Sequence, residues 1–143
     1  ILFLSLLSGE NPEYLIRQQI QSVRRLRASA LEIIPTGYIL IDGGKQTTVE
    51  RVSRTQAIPQ EMVQRIVDTA LAGEYSGKKL IYLEAGSGAL NPVSIEIIEA
   101  VKDAISIPLI VGGGIRSQSK LQTVYAAGAD LVVVGTAFEQ GDF

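Results

Sequence analysis

The chain has 143 residues, 46% of them hydrophobic, and thirteen Lys and Arg against fifteen Asp and Glu give a formal charge of −2. That is enough to bury the core of one globular domain over residues 1–143, and it lacks the basic excess of a nucleic-acid binder. With no cysteine and no histidine, a disulfide framework, thiolate or imidazole metal ligation and a Ser-His-Asp triad are excluded, so acid–base chemistry falls to carboxylates.

Taken in chain order, apolar runs at 1–7, 37–41, 79–85, 108–112 and 130–135 read as strands, and helical patterns separate them. The first helix opens at Asn11-Pro12 and places Leu15, Ile16, Ile20, Val23 and Leu26 on one face, with Arg24, Arg25 and Arg27 on a solvated face. A connection at 42–58 then exceeds the usual two to six or so residues of a βα loop, and loops of that length are often functional. The second helix carries Met62, Val63, Ile66, Val67, Ala70 and Leu71 from about Pro59 to a terminating Gly73. The third takes Asn91 as N-cap and Pro92 in its first turn, with Val93, Ile97, Ile98, Val101 and Ile105 inward; the fourth runs from Ser117 to Gly128. No apolar stretch approaches the roughly 20 residues of a membrane span and no signal-peptide pattern is present, so a cytoplasmic location is expected.

Alternation of strands and helices, with strands apolar at nearly every residue, implies a parallel sheet covered by helices. Two architectures fit: an open doubly wound sheet and a (β/α)8 TIM barrel. A dinucleotide fold asks for G-x-G-x-x-G; Gly86-Ser87-Gly88 begins that pattern, but Asn91 stands where the third glycine belongs. The barrel is therefore preferred. Since a complete barrel has eight strands over about 250 residues, the chain is expected to supply strands 4 to 8, with both of its ends cut and the N-terminal strands missing.

The chemistry concentrates where strands end. Tyr82-Leu83-Glu84-Ala85-Gly86-Ser87-Gly88 puts a lone carboxylate on an apolar strand directly before a glycine turn. A carboxylate there is either a satisfied structural group or a general base, and Tyr82, two residues earlier on the same face, can orient it. The glycine turns Gly112-Gly113-Gly114 and Gly135-Thr136 follow consecutive late strands, the usual barrel location for a phosphate; Ser87 and the amides of Gly86 and Gly88 would add a third wall. Arg116 reads equally as a phosphate ligand or a surface arginine, and Asp42 as a loop cap.

The block from Tyr82 to Ala89, with Val111-Gly112-Gly113-Gly114-Ile115-Arg116, Val134-Gly135-Thr136, Gly37-Tyr38-Ile39-Leu40-Ile41-Asp42-Gly43-Gly44 and Ser8-Gly9-Glu10-Asn11-Pro12, resembles the geranylgeranylglyceryl phosphate synthase family of PcrB-like TIM barrels along the whole chain. The resemblance implies a prenyltransferase that moves a prenyl group from a prenyl diphosphate to the 3-hydroxyl of sn-glycerol 1-phosphate, forming an ether-lipid precursor. It implies that Glu84 and Tyr82 are catalytic, and that the glycerol phosphate lies on Tyr82, Leu83, Glu84, Ala85, Gly86, Ser87, Gly88, Gly113, Gly114, Gly135 and Thr136. An apolar groove involving Ser5, Leu7 and the 42–58 loop would hold the isoprenoid tail. It implies Mg2+ at the departing diphosphate with ligands upstream of Ile1 and none in this chain, so that these 143 residues alone are expected to be inactive. Homo-oligomers and peripheral membrane contact through the lipid product are further implications. Rival readings are an isomerase or lyase of a phosphorylated metabolite and a non-catalytic phosphate-binding half-barrel.

Overall fold

The computed structural model describes residues 1–139 and 141. Its elements, in order, are β1 (Leu2–Leu6), a π-helical turn (Glu13–Arg17) running into α1 (Gln18–Arg27), β2 (Ile34–Leu40), α2 (Thr48–Ser53), α3 (Val63–Tyr75), β3 (Leu80–Glu84), α4 (Ile95–Ala104), β4 (Leu109–Gly112), α5 (Gln118–Ala126), β5 (Leu131–Val133) and α6 (Thr136–Glu139). The strands form one parallel sheet in the order β1-β2-β3-β4-β5. A doubly wound sheet reverses direction at a switch point. Here every connection advances by one strand, which is how a (β/α)8 wall is built.

Period two then sorts the side chains. Ile39, Ile41, Ile81, Leu83, Leu109 and Val111 share one face and are buried with Ile66, Val67 and Ala70 of α3, Ile97, Ile98 and Val101 of α4 and Val124 of α5. The in-register sets Tyr38–Tyr82–Ile110 and Leu40–Glu84–Gly112 lie on the opposite face. Toward the sheet edges that second face is open: Leu4 is 39% exposed and Leu131 49%. Among the described residues no helix is long and apolar enough to cross a membrane.

Several boundaries depart from sequence expectation for local reasons. β2 begins at Ile34, three residues before the expected start, because Pro35 lacks an N–H but still offers its carbonyl to Lys79 N at 2.7 Å. α3 passes through Gly73 to Tyr75, since it is Gly77, with φ +89°, that takes the left-handed turn after the helix. Asn91 does not cap α4: its N–H goes to the Gly43 carbonyl at 3.0 Å, and Ser94 caps the helix by accepting from Ile97 N. Ser117 caps α5 as expected. The stripe expected to face inward on the first helix is largely exposed, with Ile16 at 54% and Ile20 at 61%; the buried residue of α1 is Gln19, whose amide donates to the carbonyls of Leu4 and Tyr14.

The β4–β5 end of the core is tied by Asp130, whose Oδ2 accepts from Lys102 Nζ and from Leu109 N, each at 2.7 Å. The Lys102 hydrogen bond first, and then the Leu109 amide, hold its carboxyl below the usual value of 3.8. A carboxyl lowered in this way stabilises the fold above its unfolded pKa, and the contribution disappears as pH falls through the folded value. Asp130→Asn is therefore expected to cost about 1 kcal/mol at pH 7, the scale of a charge-assisted hydrogen bond at a half-exposed group. Thermal unfolding across pH will show the gap to wild type closing below about pH 4.

Candidate active site

Glu84 ends β3 on the face turned away from the helices and is 9% exposed. An ionised carboxylate so placed has to be met by donors. Tyr82, two residues earlier on the same face, donates from Oη to Glu84 Oε2 at 2.6 Å, and the Gly86 amide donates to Oε1 at 2.7 Å. Each carboxylate oxygen keeps lone-pair capacity for one further donor. Tyr38, the register partner of Tyr82 on β2, packs edge-on against its ring with centroids 5.1 Å apart and an interplanar angle of 73°. Burial, and then the Glu84 charge, raise both tyrosine hydroxyls far above their ordinary value. Both therefore remain protonated donors at neutral pH.

The close approach of β4 makes room for this pair. A methyl group at Gly112 would stand 2.6 Å from Glu84 Oε2 and 2.7 Å from Tyr82 Oη, distances that real Cβ atoms do not tolerate. At the following turn a methyl group on Gly113, with φ +89°, would likewise stand 2.7 Å from the Gly86 nitrogen and 2.8 Å from that of Ala85.

In front of the carboxylate is a cleft of about 910 Å³. Of the residues expected from sequence, Glu84, Gly86, Ser87, Gly88, Gly113, Gly114, Gly135 and Arg116 line it together. Tyr82 stands behind Glu84, while Leu83 and Ala85 point into the helix-side core and can meet the cleft only through backbone. Thr136 opens α6, whose first turn closes on the Gly135 carbonyl. The Gly86 amide, expected in the phosphate wall, is engaged by Glu84. Arg116 donates to the carbonyls of Ala89 at 2.9 Å and Gly88 at 3.4 Å, so it braces the 86–89 turn. Asp42 caps its own loop by accepting from Gly44 N at 2.8 Å. Ser5 and Leu7 lie on the helix side of the sheet, Ser5 accepting from Lys78 Nζ, and neither lines this cleft.

Sequence reasoning missed Tyr38 and the contribution of Lys45, Gln46, Thr47, Thr48 and Val49. The unusual length of the 42–58 connection is the signal that pointed there. That segment leaves the end of β2 and returns to it, Ile41 pairing with Ile58, and its short α2 is started by a capping box between Thr47 and Glu50.

A parallel β/α sheet of barrel type, with a braced carboxylate and glycine turns gathered at the C-terminal ends of its strands, defines the general class. Comparison with known proteins narrows it. The PcrB family matches residues 1–142, and the chain belongs to that family. It is 61% identical over its full length to the geranylgeranylglyceryl phosphate synthase of Zunongwangia profunda, spanning 61% of that protein, and 43% identical to that of Pyrococcus furiosus, spanning 55%. The crystal structure of (S)-3-O-geranylgeranylglyceryl phosphate synthase from Thermoplasma acidophilum in complex with its substrate sn-glycerol-1-phosphate superposes with a TM-score of 0.91 at 38% identity. The match covers 98% of this chain and 56% of that one. The chain thus spans somewhat over half the length of the relatives it matches.

Gly112→Ala is expected to cost roughly 1–3 kcal/mol through overpacking, because the added methyl meets the Tyr82–Glu84 pair. Thermal unfolding will register the loss. Ultraviolet difference spectra will show a perturbed tyrosine, an effect that a change at Leu109 or Val111, on the opposite face of β4, would not produce.

Proposed function

We propose that this protein takes part in prenyl transfer from a prenyl diphosphate to the 3-hydroxyl of sn-glycerol 1-phosphate, with residues 1–143 forming one domain that carries the acceptor side of the site. The observation that carries the reading is the Glu84 carboxylate, held by Tyr82 Oη and Gly86 N and facing a cleft walled by the Gly86-Ser87-Gly88 and Gly113-Gly114 turns. Membership of the PcrB family, and the likeness to a synthase whose crystal contains sn-glycerol-1-phosphate, support the choice of acceptor.

The chemistry follows from the carboxylate. The acceptor hydroxyl donates to Glu84, and as its oxygen forms the new C–O bond at C1 of the prenyl group, the C1–O bond to diphosphate breaks and the leaving group takes the electron pair. The hydroxyl proton passes to Glu84, the general base. Tyr82 and the Gly86 amide keep the carboxylate aimed during that transfer, since a carboxylate free to rotate would lose the alignment that makes the step effectively unimolecular. The acceptor phosphate rests on the turns at Ser87-Gly88, Gly113-Gly114 and Gly135-Thr136, where glycines allow close backbone approach.

The resemblance also implies Mg2+ at the departing diphosphate. Among the described residues no group of three His, Cys, Asp or Glu could hold a metal ion. The described side chains thus supply no such cluster, and no step is routed through the ion. A cytoplasmic enzyme, forming homo-oligomers and touching a membrane through its lipid product, is consistent with this reading.

In the full-length protein, Glu84→Gln is expected to lower turnover by roughly 10²–10⁴-fold, the range of a lost general base, with the Kd for sn-glycerol 1-phosphate changed only a few-fold. Tyr82→Phe, which removes one of the two donors to Glu84, will show a smaller loss in the same direction. Product formation from radiolabelled geranylgeranyl diphosphate, together with calorimetric titration of the acceptor, checks both. Unchanged turnover in Glu84→Gln overturns the assignment.

A further inference from the structure

We propose that Lys45 is a ligand of the acceptor phosphate, a role that rests on the acceptor reading above. Among the described residues three charged ones line the cleft: Glu84, Arg116 and Lys45. Arg116 has its Nη2 tied to the carbonyls of Ala89 and Gly88, which draws that end of the guanidinium onto the 86–89 turn. Among the described residues no carboxylate lies within ion-pair distance of Lys45. A dianionic phosphate beside the Glu84 carboxylate calls for a cation, and among the described residues lining the cleft Lys45 is the cation with no hydrogen bond or ion pair already made.

Its position is specific. A methyl group at Gly88 would stand 3.1 Å from Lys45 Nζ, so the ammonium group lies directly against the turn that forms the phosphate wall. The backbone on both sides of Lys45 is anchored. The Gly43 carbonyl accepts from the amides of Leu90 at 2.9 Å and Asn91 at 3.0 Å, tying this loop to the one that follows β3. On the other side, Thr47 and Glu50 close their capping box. The lysine is thus exposed as a side chain but fixed at its root.

A second observation gives the reason for a cationic side chain there. The Gly86 amide, which a glycine-turn phosphate site would normally use, is taken by Glu84. The turn therefore offers one backbone donor fewer, and a side-chain donor reaching across from the 42–58 loop restores the count. The ammonium supplies charge as well, making this contact stronger than the neutral one it replaces.

The test is calorimetric titration of sn-glycerol 1-phosphate into the full-length protein, alongside steady-state KM values for both substrates. Lys45→Gln is expected to raise the acceptor Kd roughly tenfold, the scale of one lost charge-assisted hydrogen bond, while Lys45→Arg stays within about threefold of wild type. Raising ionic strength will weaken acceptor binding more steeply in wild type than in Lys45→Gln. The KM for geranylgeranyl diphosphate will change less than twofold. An unchanged acceptor Kd in Lys45→Gln overturns the proposal, and so does a rise confined to the prenyl diphosphate KM, which would assign the lysine to the donor. If wild type itself fails to bind sn-glycerol 1-phosphate, it is the acceptor reading that falls. Because the Lys45 side chain is exposed, thermal unfolding of the variants is expected to match wild type, which separates lost binding from lost fold.

Discussion

The site depends on one buried carboxylate. Glu84 lies at the end of an apolar strand, where an ionised group without partners would be unstable, and two donors from its own strand and turn make it tenable: the Tyr82 hydroxyl and the Gly86 amide. That solution constrains its surroundings. Tyr82 has to share a face with Glu84, β4 has to present a glycine at position 112, and the turn after Glu84 has to bring the Gly86 amide back toward the carboxylate, with φ +99° at that residue. The neighbouring ring of Tyr38 then confines Tyr82, so the carboxylate is oriented by packing as well as by hydrogen bonds.

The rest of the fold keeps that arrangement rigid. Helices α3, α4 and α5 bury one face of the sheet in a core of isoleucine, leucine and valine, which fixes the strands and leaves the opposite face for chemistry. Loops at the C-terminal ends are tied to one another through backbone: the Gly43 carbonyl to Leu90 and Asn91, the Arg116 guanidinium to Ala89, and Gln60 to the carbonyls of Asp42 and Pro92. A site assembled from loops gains its precision from such cross-links, because a free loop would pay an ordering cost at each binding event.

The 42–58 segment is the departure from a minimal barrel unit. Its two ends meet again at the Ile41–Ile58 bridge, so the excursion adds a wall to the cleft without altering the order of the strands. It contributes a capped short helix and, in Lys45, a second positive charge beside Arg116 to a site built mainly from glycine turns and a carboxylate.

By itself the sequence determined the strand and helix alternation, the parallel sheet and the cluster of Glu84 with its glycine turns, because these rest on local pattern: apolar runs, period-two and helical spacing, and glycines at strand ends. It marked the 42–58 loop as unusual by length alone. Pairing across distance decided what was not legible. Tyr38 reached the site through strand register, the Gly86 amide turned to Glu84, Arg116 placed its Nη2 on two carbonyls, and the apolar stripe of Ile16, Ile20 and Val23 stayed exposed while Gln19 turned inward. A residue's pattern states what its side chain can do. Which donor meets which acceptor depends on how far apart the chain brings them, and only the folded structure sets that.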